Sequence, residues 1–129
     1  MKSFWSDKKG QSLVELALVL PILLMLLLGI VEFGRIYGAY LTISHAAREG
    51  ARHAAVGGNE LSVIETVQRR AAGLEPGSLN ITVTPGDTRQ RGEAVRIVVG
   101  YPVPIYAPIF NDLLGNTFWV EKAAEMRVE

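Results

Sequence analysis

Residues 10–33 read GQSLVELALVLPILLMLLLGIVEF, and this stretch decides the fold. Residues 16–31 are sixteen positions without a charged or polar side chain, and eight of them are leucine, a strong helix former. At ~1.5 Å per residue, residues 13–33 make about 31 Å of helix, close to a hydrocarbon core of about 30 Å. Pro21 removes one backbone donor, which a membrane helix tolerates. A chain of 129 residues has too little other material to bury a helix apolar on every side. A membrane-crossing helix is therefore the better reading than a buried core helix.

Orientation follows from the flanks. Lys2, Lys8 and Lys9 precede the run against Asp7 alone, while Glu32 and Arg35 nearly cancel after it. The positive-inside rule puts the N-terminus in the cytoplasm and residues 34–129 across the membrane. A secretory signal peptide would have a shorter apolar core and a small-x-small site behind it. Here the core is followed by EFGRIYGAY.

Beyond the run the helical rhythm continues through Phe33, Ile36, Tyr37, Tyr40, Leu41, Ile43 and Ala47 to about Val56, and Gly57-Gly58-Asn59 stops it. Small residues recur every fourth position at Gly34, Gly38, Thr42, Ala46, Gly50 and Ala54. Such spacing allows close helix packing. The row drifts around the helix, so a neighbouring subunit and the chain's own sheet both remain possible partners. Local pairs Glu32–Arg35, Glu49–Arg52, His45–Glu49 and Glu49–His53 have helical spacing. A second helix is expected behind a capping box at Ser62-Val63-Ile64-Glu65, with Leu61, Ile64, Val67, Ala71 and Leu74 as its apolar stripe.

The period then changes to two. Leu79, Ile81 and Val83 form one strand face, and Val95, Ile97, Val99 and Tyr101 form another. Phe118, Val120, Ala124 and Met126 indicate a third strand, weak at Lys122-Ala123-Ala124. Residues 102–115 contain three prolines and read as irregular, with one short helix from Pro108 to before Gly115. Their apolar residues Ile105, Tyr106, Ile109, Phe110, Leu113 and Leu114 are expected to cover a sheet edge; a partner or the membrane is the alternative. The fold class is α+β: a long N-terminal transmembrane helix continuing into a domain with a second helix and a small antiparallel sheet.

Zero net charge gives no basis for a nucleic-acid partner, and the lack of cysteine excludes disulfides and thiolate metal sites. His45 and His53 are too far apart to hold one metal by themselves. No phosphate loop, zinc spacing or nucleophile motif occurs. The chain therefore reads as a non-enzyme with no cofactor and no small-molecule substrate.

A basic leader ending in Gly10, four further residues, Glu15 and a long apolar helix form the pattern of type IV prepilins and pseudopilins. More specifically, the chain resembles the TadE-like family, minor pilins of the tight-adherence pilus. The stretches that carry the resemblance are GQSLVELALVLP from Gly10, GIVEFGR from Gly29 and AAREGAR from Ala46, with VRIVVGY from Val95 and the closing AAEMRVE. Leu16 stands where such pseudopilins often have an aromatic residue.

The resemblance implies a pilin-like outer domain at 34–129, a transmembrane helix at 11–33 and a leader at 1–10. Lys8 and Lys9 would serve leader recognition by a membrane-embedded prepilin peptidase, which would cut between Gly10 and Gln11. Partners would be the membrane, that peptidase, other pilins and pilus-assembly platform proteins. The location implied is the bacterial cytoplasmic membrane, with incorporation into a pilus left open. Glu15, costly inside an apolar segment, would set subunit register by pairing with the freed amine of Gln11; the plainer alternative is a carboxylate resting among lipid headgroups. Gly34, Gly38, Ala46 and Gly50 would serve helix packing. The rival reading is a permanently anchored single-pass protein whose outer domain binds a partner without polymerising.

Overall fold

One helix carries the whole molecule. The computed structural model describes residues 8–129, so Lys2 and Asp7 of the leader lie outside the described residues. Helix α1 runs from Lys8–Ala55, 48 residues, or about 72 Å. It stays helical through Pro21 and gives way to Gly57, whose φ of 98° is left-handed, at the predicted stop. Its apolar half contacts almost nothing in the chain. Its outer half buries Ala39, Ile43, Ser44, Ala46, Ala47, Gly50, Ala51, Ala54 and Ala55.

The rest folds against that outer half. Helix α2 is Glu60–Arg70, a 3₁₀ turn is Pro76–Ser78, β1 is Asn80–Thr84, β2 is Ala94–Pro104, α3 is Pro108–Leu114 and β3 is Thr117–Arg127. The three strands form one antiparallel sheet in the order β1-β2-β3. Val95, Ile97, Val99, Tyr101 and Val103 of β2 all point inward, as period two requires. They meet Ile43 of α1 and Val63 and Val67 of α2 in one core.

Small residues on α1 let these layers approach. A Cβ at Gly50 would lie 2.5 Å from Cγ2 of Val67, a buried β-branched side chain with little rotamer freedom. Gly34 and Gly38, on the same row, face open space. The row therefore divides: Ala46 and Gly50 are used inside the subunit, and Gly34 and Gly38 are not.

Four expectations need correction. Helix α2 begins at Glu60, capped by Asn59, whose side chain accepts from the Ser62 amide at 2.8 Å. Ser62 is thus the third helical residue rather than the cap, Leu61 is turned out at 74 % exposure, and Val63, Thr66 and Val67 are the buried residues. Strand β2 continues through Pro102 and Pro104. The Ile105 amide donates to the Asn116 carbonyl on the β3 side, so by alternation both prolines turn their missing N–H the other way. There β1 has already ended at the Asn80–Gly100 pair.

Lys122-Ala123-Ala124 holds its strand in register with Val99, Val98 and Ile97. The Lys122 ammonium lies 5.9 Å from the Tyr40 ring centre, which lets a lysine sit at the margin of the inward face. Glu49 pairs with Arg70 of α2 at 3.7 Å, and His53 bonds Ser62 at 3.0 Å, in place of the expected contacts within α1.

The packing at Gly50 predicts opposite outcomes at two glycines. Gly50→Ala forces Val67 aside, costing about 1–3 kcal/mol, only partly offset by about 1 kcal/mol of helix propensity. Gly34→Ala meets nothing and keeps the propensity gain. Thermal unfolding of the full chain in detergent should show Tm falling for the first and unchanged or higher for the second. Equal Tm values would disprove the close approach of α1 and α2.

Candidate membrane and assembly segment

The segment offers two carboxylates in contrasting surroundings. Glu15 is exposed and lies one helical turn from Gln11, whose side-chain amide donates to Glu15 Oε1 at 3.3 Å. The Gln11 side chain is the partner that the structure gives this carboxylate. Gly10 and Gln11 both lie within the first turns of α1, and Ser12 caps back onto the Lys8 carbonyl at 3.0 Å. Lys8 and Lys9 belong to the same turn. Lys8, Lys9, Gly10, Gln11 and Glu15 are therefore brought together on one stretch of helix, and Glu15 lies about 24 residues before Ala39, where the packed part of α1 begins.

Glu32, at the other end of the apolar run, is 7 % exposed. Its Oε1 accepts from the backbone amides of Tyr106 and Ala107, each at 3.0 Å. Its Oε2 accepts from Arg35 Nη1, also at 3.0 Å. The Arg35 guanidinium in turn lies over the Tyr106 ring, 4.2 Å from its centre. Ala107 is the N-cap of α3 and has no side-chain acceptor to offer; Glu32 accepts from the cap residue's own amide, the donor that the carboxylate of a capping box takes elsewhere, and from the amide before it. Three charge-assisted bonds satisfy a carboxylate that burial would otherwise penalise.

This clamp was missed in the sequence, where Glu32 pairs only with Arg35. The signal was present: an acidic residue closing an apolar run is costly and calls for a partner. What spacing could not supply was the partner, 74 residues away.

Helix α3 exists as expected, with Pro108 first and Gly115 in the left-handed region after it (φ 84°). Its expected role as a cover for the sheet is not what the structure shows. Ile105 and Ala107 are buried before it, but no residue of α3 itself is. Phe110 instead touches Gly29 inside the apolar run, where a Cβ would lie 3.0 Å from its ring.

Comparison with known families supplies the remaining finding. Residues 10–52 match the TadE-like protein family. The matched segment begins at Gly10 and includes both Glu15 and Glu32. No curated protein and no solved structure matches the chain. The TadE-like segment is carried on the one described helix that is long and apolar enough to cross a membrane. The family likeness thus covers a third of the chain, residues 10–52, and falls on the apolar helix and the start of the part that packs on the sheet.

The clamp predicts a local effect. Glu32→Ala leaves two buried amides and Arg35 without their acceptor, so hydrogen exchange at Tyr106 and Ala107 should speed up by about ten-fold or more. Exchange in α2 and β1 should not change, and Glu32→Gln should fall between. Unaltered protection at Tyr106 in the alanine variant would show that the carboxylate does not hold the loop.

Proposed function

We propose that the chain is a minor pilin or pseudopilin required to assemble a tight-adherence, type IV-like pilus, and that a prepilin peptidase processes it after Gly10. The observation that carries this reading is the family match starting at Gly10 on an apolar helix that the rest of the chain leaves uncovered. The role is structural rather than catalytic: subunits meet through their helices.

Several features support the details. Lys8 and Lys9 place a basic end beside the cleavage point, on the cytoplasmic side by the positive-inside rule. The Gly10–Gln11 bond lies near a helix end, where unwinding into a protease site costs little, and Gly10 weakens the helix further. Cleavage creates an amine on Gln11, protonated near neutral pH with a reference pKa of about 7.7–8. Gln11 already reaches Glu15 through its side chain, so the new charge arises one turn from a carboxylate. Pairing of Glu15 with an amine, in the same or an adjacent subunit, would fix axial register, as single polar groups do in other helical assemblies. Gly34 and Gly38 leave space against α1 that a neighbouring helix fits. In this arrangement residues 1–10 are the leader, 11–33 the span and 34–129 the outer domain, which lies outside the cytoplasmic membrane.

The test is the N-terminal mass of the protein purified from membranes of cells carrying the peptidase. A chain beginning at Gln11 is expected, and a bulky residue at Gly10 should leave it intact. Glu15→Val should still be processed but fail to support pili. Recovery of the wild type with Met1 in place would favour a permanently anchored binding module instead, and normal piliation by Glu15→Val would end the register role.

A further inference from the structure

Helix α3 is short, but its two sides differ sharply. At about 100° per residue, Ile109, Phe110, Leu113 and Leu114 share one arc of roughly 140°, with Asn111 and Asp112 on the other side. Apart from Phe110, the apolar arc is not used in the fold: Leu113 is 75 % exposed, and Ile109 and Leu114 are also exposed. In a water-soluble domain such a patch would be a liability.

Its position explains it. Glu32 fastens the start of α3 to the end of the apolar run. From there the chain turns toward the run, since Phe110 rests on Gly29, about 4.5 Å closer to the middle of the span than Glu32. Phe110 closes one side of an apolar groove of ≈ 550 Å³, otherwise lined by Ile22, Met25, Leu26, Gly29, Ile30 and Phe33 of α1. The exposed surface of α3 is thus continuous with the uncovered surface of the spanning helix. Aromatic residues mark the same level: Phe33 stacks with Tyr37 at 6.3 Å, and Tyr106 is exposed beside Arg35. Tyrosine at this level is what a bilayer boundary selects.

We propose that α3 is a membrane foot. It lies in the outer boundary of the bilayer with Ile109, Leu113 and Leu114 among acyl chains, Asp112 toward water, and a phospholipid chain in the groove between Phe110 and α1. The depth fits, because interfacial helices bury their apolar face about 5–10 Å. A lipid occupant is favoured over a second copy by continuity: the groove and α3 share the level of a helix whose remaining sides face lipid. The foot fixes the height and tilt of the outer domain over the membrane. This inference rests on the reading of α1 as a span, but not on cleavage or pilus assembly.

The absence of native cysteine allows single labels. Full-length Leu113→Cys, Leu23→Cys and Leu61→Cys variants, each exposed in the structure, are labelled with an environment-sensitive fluorophore. They are then reconstituted at high dilution in vesicles of phosphatidylcholine and phosphatidylglycerol. Spin-labelled lipid with the radical near the top of the acyl chain should quench the label at 113 several-fold more than the label at 61, and aqueous iodide should do the reverse. The label at 23, about 15 Å from either end of the span, must be quenched by lipid carrying the radical near the end of the acyl chain. If it is not, the span and the foot both fail. If 23 is quenched by lipid but 113 by iodide, the foot alone is wrong. Shielding of 113 from both quenchers would mean that protein covers α3, which also overturns the proposal.

Discussion

A single helix has to satisfy two environments, and the rest of the structure depends on how it does so. Over residues 16–31 no side chain of α1 can form a hydrogen bond, and the fold leaves that half uncovered. Beyond Glu32 the same helix changes character. Its inward residues become alanine, glycine and serine with one isoleucine, small enough for α2 and the sheet to come close. The backbone does not break between the halves, so the outer domain is rigidly coupled to whatever angle the span adopts in the bilayer. A loop at this junction would have uncoupled them.

Glu32 stands at the change of environment. A carboxylate there serves no purpose in lipid and would be hydrated in water; here it is neither. Two backbone amides and Arg35 consume its acceptor capacity, and the result joins a residue at the end of the span to a loop late in the chain. Removing one partner of such a buried cluster costs more than the cluster contributes net, because the others are left unpaired. That asymmetry makes the junction sensitive to substitution even though each bond is modest.

What could be read from the sequence follows this division between local and distant causes. The long apolar helix, the stop at Gly57, the alternation of Val95, Ile97, Val99 and Tyr101, and the Pro108–Gly115 helix all rest on interactions within a few residues, and all were legible. The start of α2 was misread because Ser62-to-Glu65 and Asn59-to-Ser62 both match cap patterns, and only the backbone geometry at Asn59 (φ −73°, ψ 167°) decides between them. The run of β2 through Pro102 and Pro104 was hidden because a proline in a strand is acceptable only where its neighbour is missing. That depends on where β1 ends. The placement of α3 was hidden for the same reason, since the Glu32 clamp joins residues 74 positions apart. Among the candidate assembly residues, the geometry of Gln11 and Glu15 followed from their four-residue spacing, whereas the division between Gly38 and Ala46 needed the sheet in place.

The same geometry bears on how such a subunit could leave the membrane. Withdrawing the twelve leucine, isoleucine and valine residues of the run costs about 4–7 kcal/mol at about 0.3–0.6 kcal/mol each. Glu15 reduces that cost, and the proposed cleavage after Gly10 would remove the basic charges that hold the helix end at the cytoplasmic face. Helix α3 acts in the opposite direction. If its apolar arc lies in lipid, it must be lifted with the span, because Glu32 and Phe110 fasten it to α1 on the same rigid body. Extraction then exposes two apolar surfaces together, and the neighbour that receives the subunit has to cover both. A partner helix laid along Gly34 and Gly38 alone would leave Leu113 and Leu114 in water. If the chain assembles through its helices, as proposed above, the interface would run from the open glycines of α1 across the groove at Phe110 to α3, so that the surface released by lipid is the surface taken up by protein.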